Sequence, residues 1–140
     1  MTYHEKSIWV SLVSTVIIFG TYFFQAFTIM NDPDRSDQTL ILYFIIAVVI
    51  AVTIQIATQI FFSLTDRKAV EAGMDERDKS IDLKTNRISY YVLVFGIWIG
   101  VGTQAFEANI TLLINVLMLS FVVAELVTYI SKLVIYRRGY

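Results

Sequence analysis

Apolar positions along this chain do not alternate with polar ones as they would on a half-solvated helix or strand. They gather into four continuous blocks. Residues 7–27, 39–64 and 88–106 contain no Asp, Glu, Lys or Arg, and 110–130 contains a single one, Glu125. Each block reaches or exceeds the roughly 18–20 residues that a helix needs to cross a hydrocarbon core about 30 Å thick. Helices of soluble proteins keep a polar face for water, and these blocks leave no charged one. The pattern predicts an all-α polytopic membrane protein. Its one domain, 1–140, consists of four transmembrane helices in an antiparallel bundle, with a charged cytoplasmic hairpin over 65–87.

Composition changes this picture little. The hydrophobic share is 56% and the mean hydropathy +0.65, against about 45–50% apolar residues in ordinary globular domains. The first block is longer than the roughly 7–15 apolar residues of a signal peptide, and no small-x-small site follows "FFQAF", so a retained helix is expected. Cysteine is absent, which removes disulfides, thiolate metal sites and thiol nucleophiles.

Charge sets the orientation. Lys6 precedes the first block. Arg67, Lys68, Arg77, Lys79, Lys84 and Arg87 lie between the second and third, and Lys132, Arg137 and Arg138 follow the fourth. The opposite side has only Arg35. The positive-inside rule then predicts cytoplasmic termini and a cytoplasmic central loop, with Asp32, Asp34, Asp37 and Glu107 outside. The net charge of −1 has little bearing, because sidedness rather than the total decides orientation.

The densest charge lies at 75–87, where Asp75, Glu76, Arg77, Asp78, Lys79, Asp82, Lys84 and Arg87 run without proline or glycine into the third block. Gly73 can end a continuation of the second helix in the left-handed conformation. Asp75 then suits the start of a new helix, with Glu76 and Asp78 at the positive end of its dipole. One long helix is expected to begin in the cytoplasm and enter the membrane as the third span, with Arg87, Tyr90 and Tyr91 at the interface. Acids and bases in the segment cancel, which argues against a polybasic lipid-binding patch.

At 100° per residue each block carries a seam of mostly small and polar residues. These are Ser7, Ser11, Ser14, Ile18, Thr21 and Gln25; Ala47, Ala51, Gln55 and Thr58; Ser89, Val92, Gly96, Gly100, Thr103 and Glu107; and Thr111, Asn115, Met118, Val122, Glu125 and Tyr129. Close packing of small residues and hydrogen bonds between polar ones hold helices together in lipid, so the seams are expected to face inward. Gly96-x-x-x-Gly100 suits a close helix contact within the bundle, with homodimerisation through the same glycines as the alternative. Trp98, near mid-membrane, should seek a partner for its indole N–H on another helix.

Glu125 lies about 24 Å along a helix that starts near Asn109, some 6 Å short of the far edge of the core. Intramembrane carboxylates are paired or functional. It can act as a coupling carboxylate beside Asn115, Gln55 and Gln59 in a small transporter or channel, or simply be protonated, reach water, or pair with Lys132 or a basic residue of the central loop. The second reading is favoured. Catalysis is not expected. The single histidine, His4, lies in the N-terminal tail, and no nucleophile elbow or glycine-rich phosphate loop occurs. The Asp32/Asp34/Asp37 set lacks the glycine and distal glutamate of a calcium loop. No cofactor, metal or nucleic-acid partner is expected.

The segment Asp75-Glu76-Arg77-x-x-x-Ile81-x-x-Lys84, followed at once by a spanning block, resembles the signature of a family of small four-span bacterial inner-membrane proteins of uncharacterised function. Family members often carry alanine after the lysine, where this chain has Thr85. The resemblance implies four spans and a bacterial inner membrane, and it brings no catalytic residue or cofactor. The expected function is therefore a non-catalytic interaction or regulatory module. It presents the charged hairpin to a cytoplasmic protein, with Glu76, Arg77 and Lys84 as candidate contacts.

Overall fold

The computed structural model describes residues 3–30, 37–65, 75–106 and 109–138. These residues form four helices: α1 (Tyr3–Met30), α2 (Asp37–Thr65), α3 (Glu76–Gln104) and α4 (Ile110–Arg138). Every predicted block lies on one of them, except that the third runs two residues past the end of α3. Gly73, Asp32, Asp34, Arg35, Arg67, Lys68 and Glu107 lie outside the described residues, as do the side chains of His4 and Asp37.

Three helices are long and apolar enough to cross a membrane, over Glu5–Ile29, Gln38–Phe62 and Ile110–Arg138. The third expected span differs from these in kind. The first twelve residues of α3, 76–87, are its charged part, and its apolar part ends with the helix at Gln104. That leaves about 25 Å of apolar helix at 1.5 Å per residue, a little short of a full core.

The helices associate as two pairs, one within Met1–Val70 and one within Glu71–Tyr140. Between α1 and α2, Tyr22, Ala26, Ile29, Leu40 and Ala47 form a core against which Ile18, Phe23 and Phe44 pack. Tyr22 meets Phe44 edge to face, with ring centroids 5.9 Å apart. On α2 the expected seam holds: Ala47 and Ala51 are buried, and Gln55 and Thr58 half-buried.

On α1 the seam is displaced. The buried residues are Thr15, Phe19, Tyr22, Ala26 and Ile29, whereas Thr21 and Gln25 are exposed. The buried stripe thus lies about one residue, or 100°, round the helix from the polar one. Hydroxyls explain the difference. Thr21 Oγ1 donates to the Ile17 carbonyl at 2.8 Å, and Thr28 Oγ1 to that of Phe24 at 3.0 Å. A hydroxyl satisfied by its own helix needs no partner helix, even in lipid. The large rings of Phe19 and Tyr22 are instead buried in the same pair as the small Ala47 and Ala51 of α2.

Candidate functional site

The second pair holds the charged segment. α3 starts as its sequence predicts. Asp75 is the N-cap, with extended backbone (φ −63°, ψ 156°), and its carboxylate accepts from the Glu76 N–H at 2.8 Å. At the far end the helix stops at Gln104, and the chain turns within a few residues. Asn109 Oδ1 then accepts from the Thr111 N–H at 3.2 Å to open α4. So short a connection makes the two helices antiparallel.

Their register can be followed contact by contact. Tyr136 Oη donates to Asp78 Oδ1 at 2.6 Å, and Lys132 Nζ pairs with Asp82 Oδ1 at 2.9 Å. The Ser89 and Thr128 hydroxyls hydrogen-bond. A Cβ added at Gly96 would meet Ser120, and one added at Gly100 would meet Leu117 Cδ2 at 3.0 Å. Position numbers rise on α3 as they fall on α4, so α4 accompanies α3 through its charged half as well as its apolar one. Accordingly α4 runs eight residues past the predicted 110–130 block.

Thr85 is wholly buried beneath the charged segment, its hydroxyl donating to the Ile81 carbonyl at 3.0 Å. Ile81, one turn before it on α3, and Leu133 on α4 are buried as well. The Tyr136 phenol, beyond the predicted block, is held neutral well above its usual pKa of 10.0. Burial is the main cause, and the hydrogen bond to the Asp78 carboxylate adds to it.

The candidate contacts Glu76, Arg77 and Lys84 are all exposed on α3. Arg77 and Lys84 are seven residues apart and share a face, about 10.5 Å from each other along the axis. Sequence reasoning missed Asp78, Asp82, Lys132 and Tyr136. The available signal was their spacing, i,i+4 on each helix, alongside the Ile81/Thr85 stripe. Counting charges along the segment hid it, because two acids of that count face α4 and the bases Arg77, Lys79, Lys84 and Arg87 are left exposed.

Two expectations are corrected. Lys132 pairs with Asp82, not with Glu125. Trp98 is 71% exposed and finds no burial in the α3–α4 pair. The intramembrane candidates are not gathered into one site within this pair. Glu125 is half-buried, while Asn115 lies ten residues, about 15 Å, away along α4. The buried Asn115 Nδ2 donates to the Thr111 carbonyl of its own helix at 2.8 Å. Gln55 and Gln59 belong to α2, half-buried and exposed respectively. Gly96 and Gly100 are buried against α4, so their face is filled by the chain's own helix.

No known protein family matches this chain, and no curated protein or solved structure is similar to it.

Proposed function

We propose that α3 crosses the membrane beside α4, giving four spans with both termini on the cytoplasmic side of a bacterial inner membrane. On this reading the charged end of the α3–α4 hairpin is a non-catalytic docking module for a cytoplasmic protein. The antiparallel register supports the crossing, because the apolar part of α3 runs alongside α4, itself long and apolar enough to span. The sidedness of Lys and Arg supports the orientation. The charged end then stands as a two-helix stalk, rising about 18 Å over the twelve residues 76–87.

One observation carries the docking reading. The stalk is built by an inner face, Asp78 with Tyr136 and Asp82 with Lys132. Glu76, Arg77 and Lys84 are exposed and take no part in those contacts. Charge on a face that solvent reaches is charge a partner can reach. The test is affinity capture from gently solubilised membranes, comparing the native chain with the Glu76→Arg/Arg77→Glu form. A cytoplasmic protein recovered with the native chain and lost with the variant, at equal membrane insertion, is the expected result. Equal recovery with both overturns the reading.

A further inference from the structure

We infer that the α1–α2 pair holds one acyl chain of a membrane lipid in a groove along its side, with the lipid's ester carbonyl hydrogen-bonded by Gln25 and Tyr43. The inference concerns α1 and α2 alone and goes beyond the docking role proposed for the stalk.

Both helices are long and apolar enough to cross a membrane. They run antiparallel, with Tyr22 against Phe44 and, nearer the connection, Ile29 and Leu40 in the same core. Beside that core is a cavity of about 360 Å³, within the range of about 300–1,000 Å³ usual for ligand sites. Tyr22 and Ala47 are its buried members, and Ile17, Ile18, Ile46 and Ile50 give it an apolar lining. A second hollow, of about 260 Å³, lies against Phe24, Thr28 and Ile29 and shares Gln25 and Tyr43 with the first. The two hollows therefore meet at that pair of side chains, and from Ile17 to Thr28 the groove follows α1 for about 16 Å.

Hydrogen bonding decides the occupant. No lining residue of either hollow is charged, so the groove selects a neutral group. Thr21 and Thr28 direct their hydroxyls to carbonyls of their own helix. Gln25 and Tyr43 are exposed, and among the described residues they make no hydrogen bond. Each is a donor, and a donor facing hydrocarbon without an acceptor is costly.

Depth points to a lipid ester. Gln25 lies two residues, about 3 Å, inside the end of the 7–27 block, and Tyr43 four residues, about 6 Å, inside the start of the 39–64 block. This is the edge of the hydrocarbon, where phospholipid ester carbonyls stand above their acyl chains. A helix laid on the same face keeps its carbonyls bonded within itself and offers these donors nothing but a polar side chain. A lipid presents an acceptor here in every molecule, and the chain below it can run along Ile46, Ala47 and Ile50.

The test uses the full chain in vesicles of ether-linked phosphatidylcholine with a trace of phosphatidylcholine carrying a diazirine midway along one chain. The probe is made in ester-linked and ether-linked forms, which differ in the carbonyl, and labelled residues are mapped by mass spectrometry. Ile46 and Ile50 should be labelled about fivefold more by the ester probe, the factor expected from one net hydrogen bond. Ile45 and Val52, exposed on the opposite side of α2, should show no difference. Gln25→Leu/Tyr43→Phe should abolish the ester preference. Ile17→Trp, which fills the groove from an exposed position, should lower labelling of Ile46 and Ile50 by both probes. Unchanged labelling of Ile45 shows that each variant still inserts. Equal labelling by both probes in the native chain overturns the inference. So does an ester preference that survives loss of Gln25 and Tyr43, or labelling at Ile46 and Ile50 that Ile17→Trp leaves unchanged. Labelling of Ile45 without Ile46 and Ile50 overturns it too, because protein rather than lipid then covers the groove.

Discussion

At Gly96 α3 lies close against α4. A methyl added there would fall on the Ser120 side chain and come within 3.3 Å of the Ser120 Cα. Backbone that close cannot step aside, so Gly96→Ala forces the helices apart, and overpacking of this kind costs about 1–3 kcal/mol. At Gly100 the first atom met is Leu117 Cδ2 at 3.0 Å, the end of a flexible side chain. Unfolding by denaturing detergent should therefore rank Gly96→Ala well below Gly100→Ala in stability. Adding Ser120→Gly should restore part of the loss at Gly96. Equal effects at the two glycines would mean that α4 is not what fills this face.

At the scale of elements, α3 and α4 hold each other through two kinds of contact. In the apolar half small residues let the backbones meet. In the charged half Asp78–Tyr136 and Asp82–Lys132 fasten the ends, around buried Ile81, Thr85 and Leu133. The Tyr136 contact gives the stalk a pH dependence of definite sign. Its pKa is raised in the folded chain, by burial first and by Asp78 second. The neutral phenol is the packed form, so its contribution is complete below the unfolded value near 10.0 and is lost as pH rises through the higher folded value. Stability of the stalk, followed by circular dichroism against pH, should fall above about pH 10. Tyr136→Phe should flatten that fall while lowering stability near neutrality by about 1–3 kcal/mol for the lost charge-assisted hydrogen bond. An unchanged alkaline profile in Tyr136→Phe would remove Tyr136 as its source. Elements also show where a polarity rule fails: α1 buries Phe19 and Tyr22 rather than Thr21 and Gln25. A threonine that bonds its own preceding turn is indistinguishable, in sequence, from one that bonds a neighbour.

For the whole molecule the open quantity is how many times the chain crosses. The absence of cysteine makes every introduced thiol a unique label. Ser80, on the stalk, and Ala105, just past the other end of α3, are both exposed. A membrane-impermeant maleimide added to intact cells should label Ala105→Cys and should reach Ser80→Cys only after the membrane is opened. Labelling of both from one side would leave α3 on the surface and reduce the crossings to the three apolar helices. Labelling in the reverse sense would invert the orientation taken from Lys and Arg.

Much of this protein was legible in its sequence, because hydrophobic length and helix-start chemistry are local properties. Four apolar blocks became four helices, and Asp75 capped a long α3 that carries its charges into an apolar run. The seam of α2 and the glycines of α3 were legible too, since small side chains admit few arrangements in a close pair. Tertiary structure alone decided which charges of 75–87 turn inward. The alternation of acids with bases is the same whichever face meets α4, and only the register of the antiparallel hairpin sets Asp78 on Tyr136 and Asp82 on Lys132. Pairing is a property of two helices at once, and neither helix's sequence contains it.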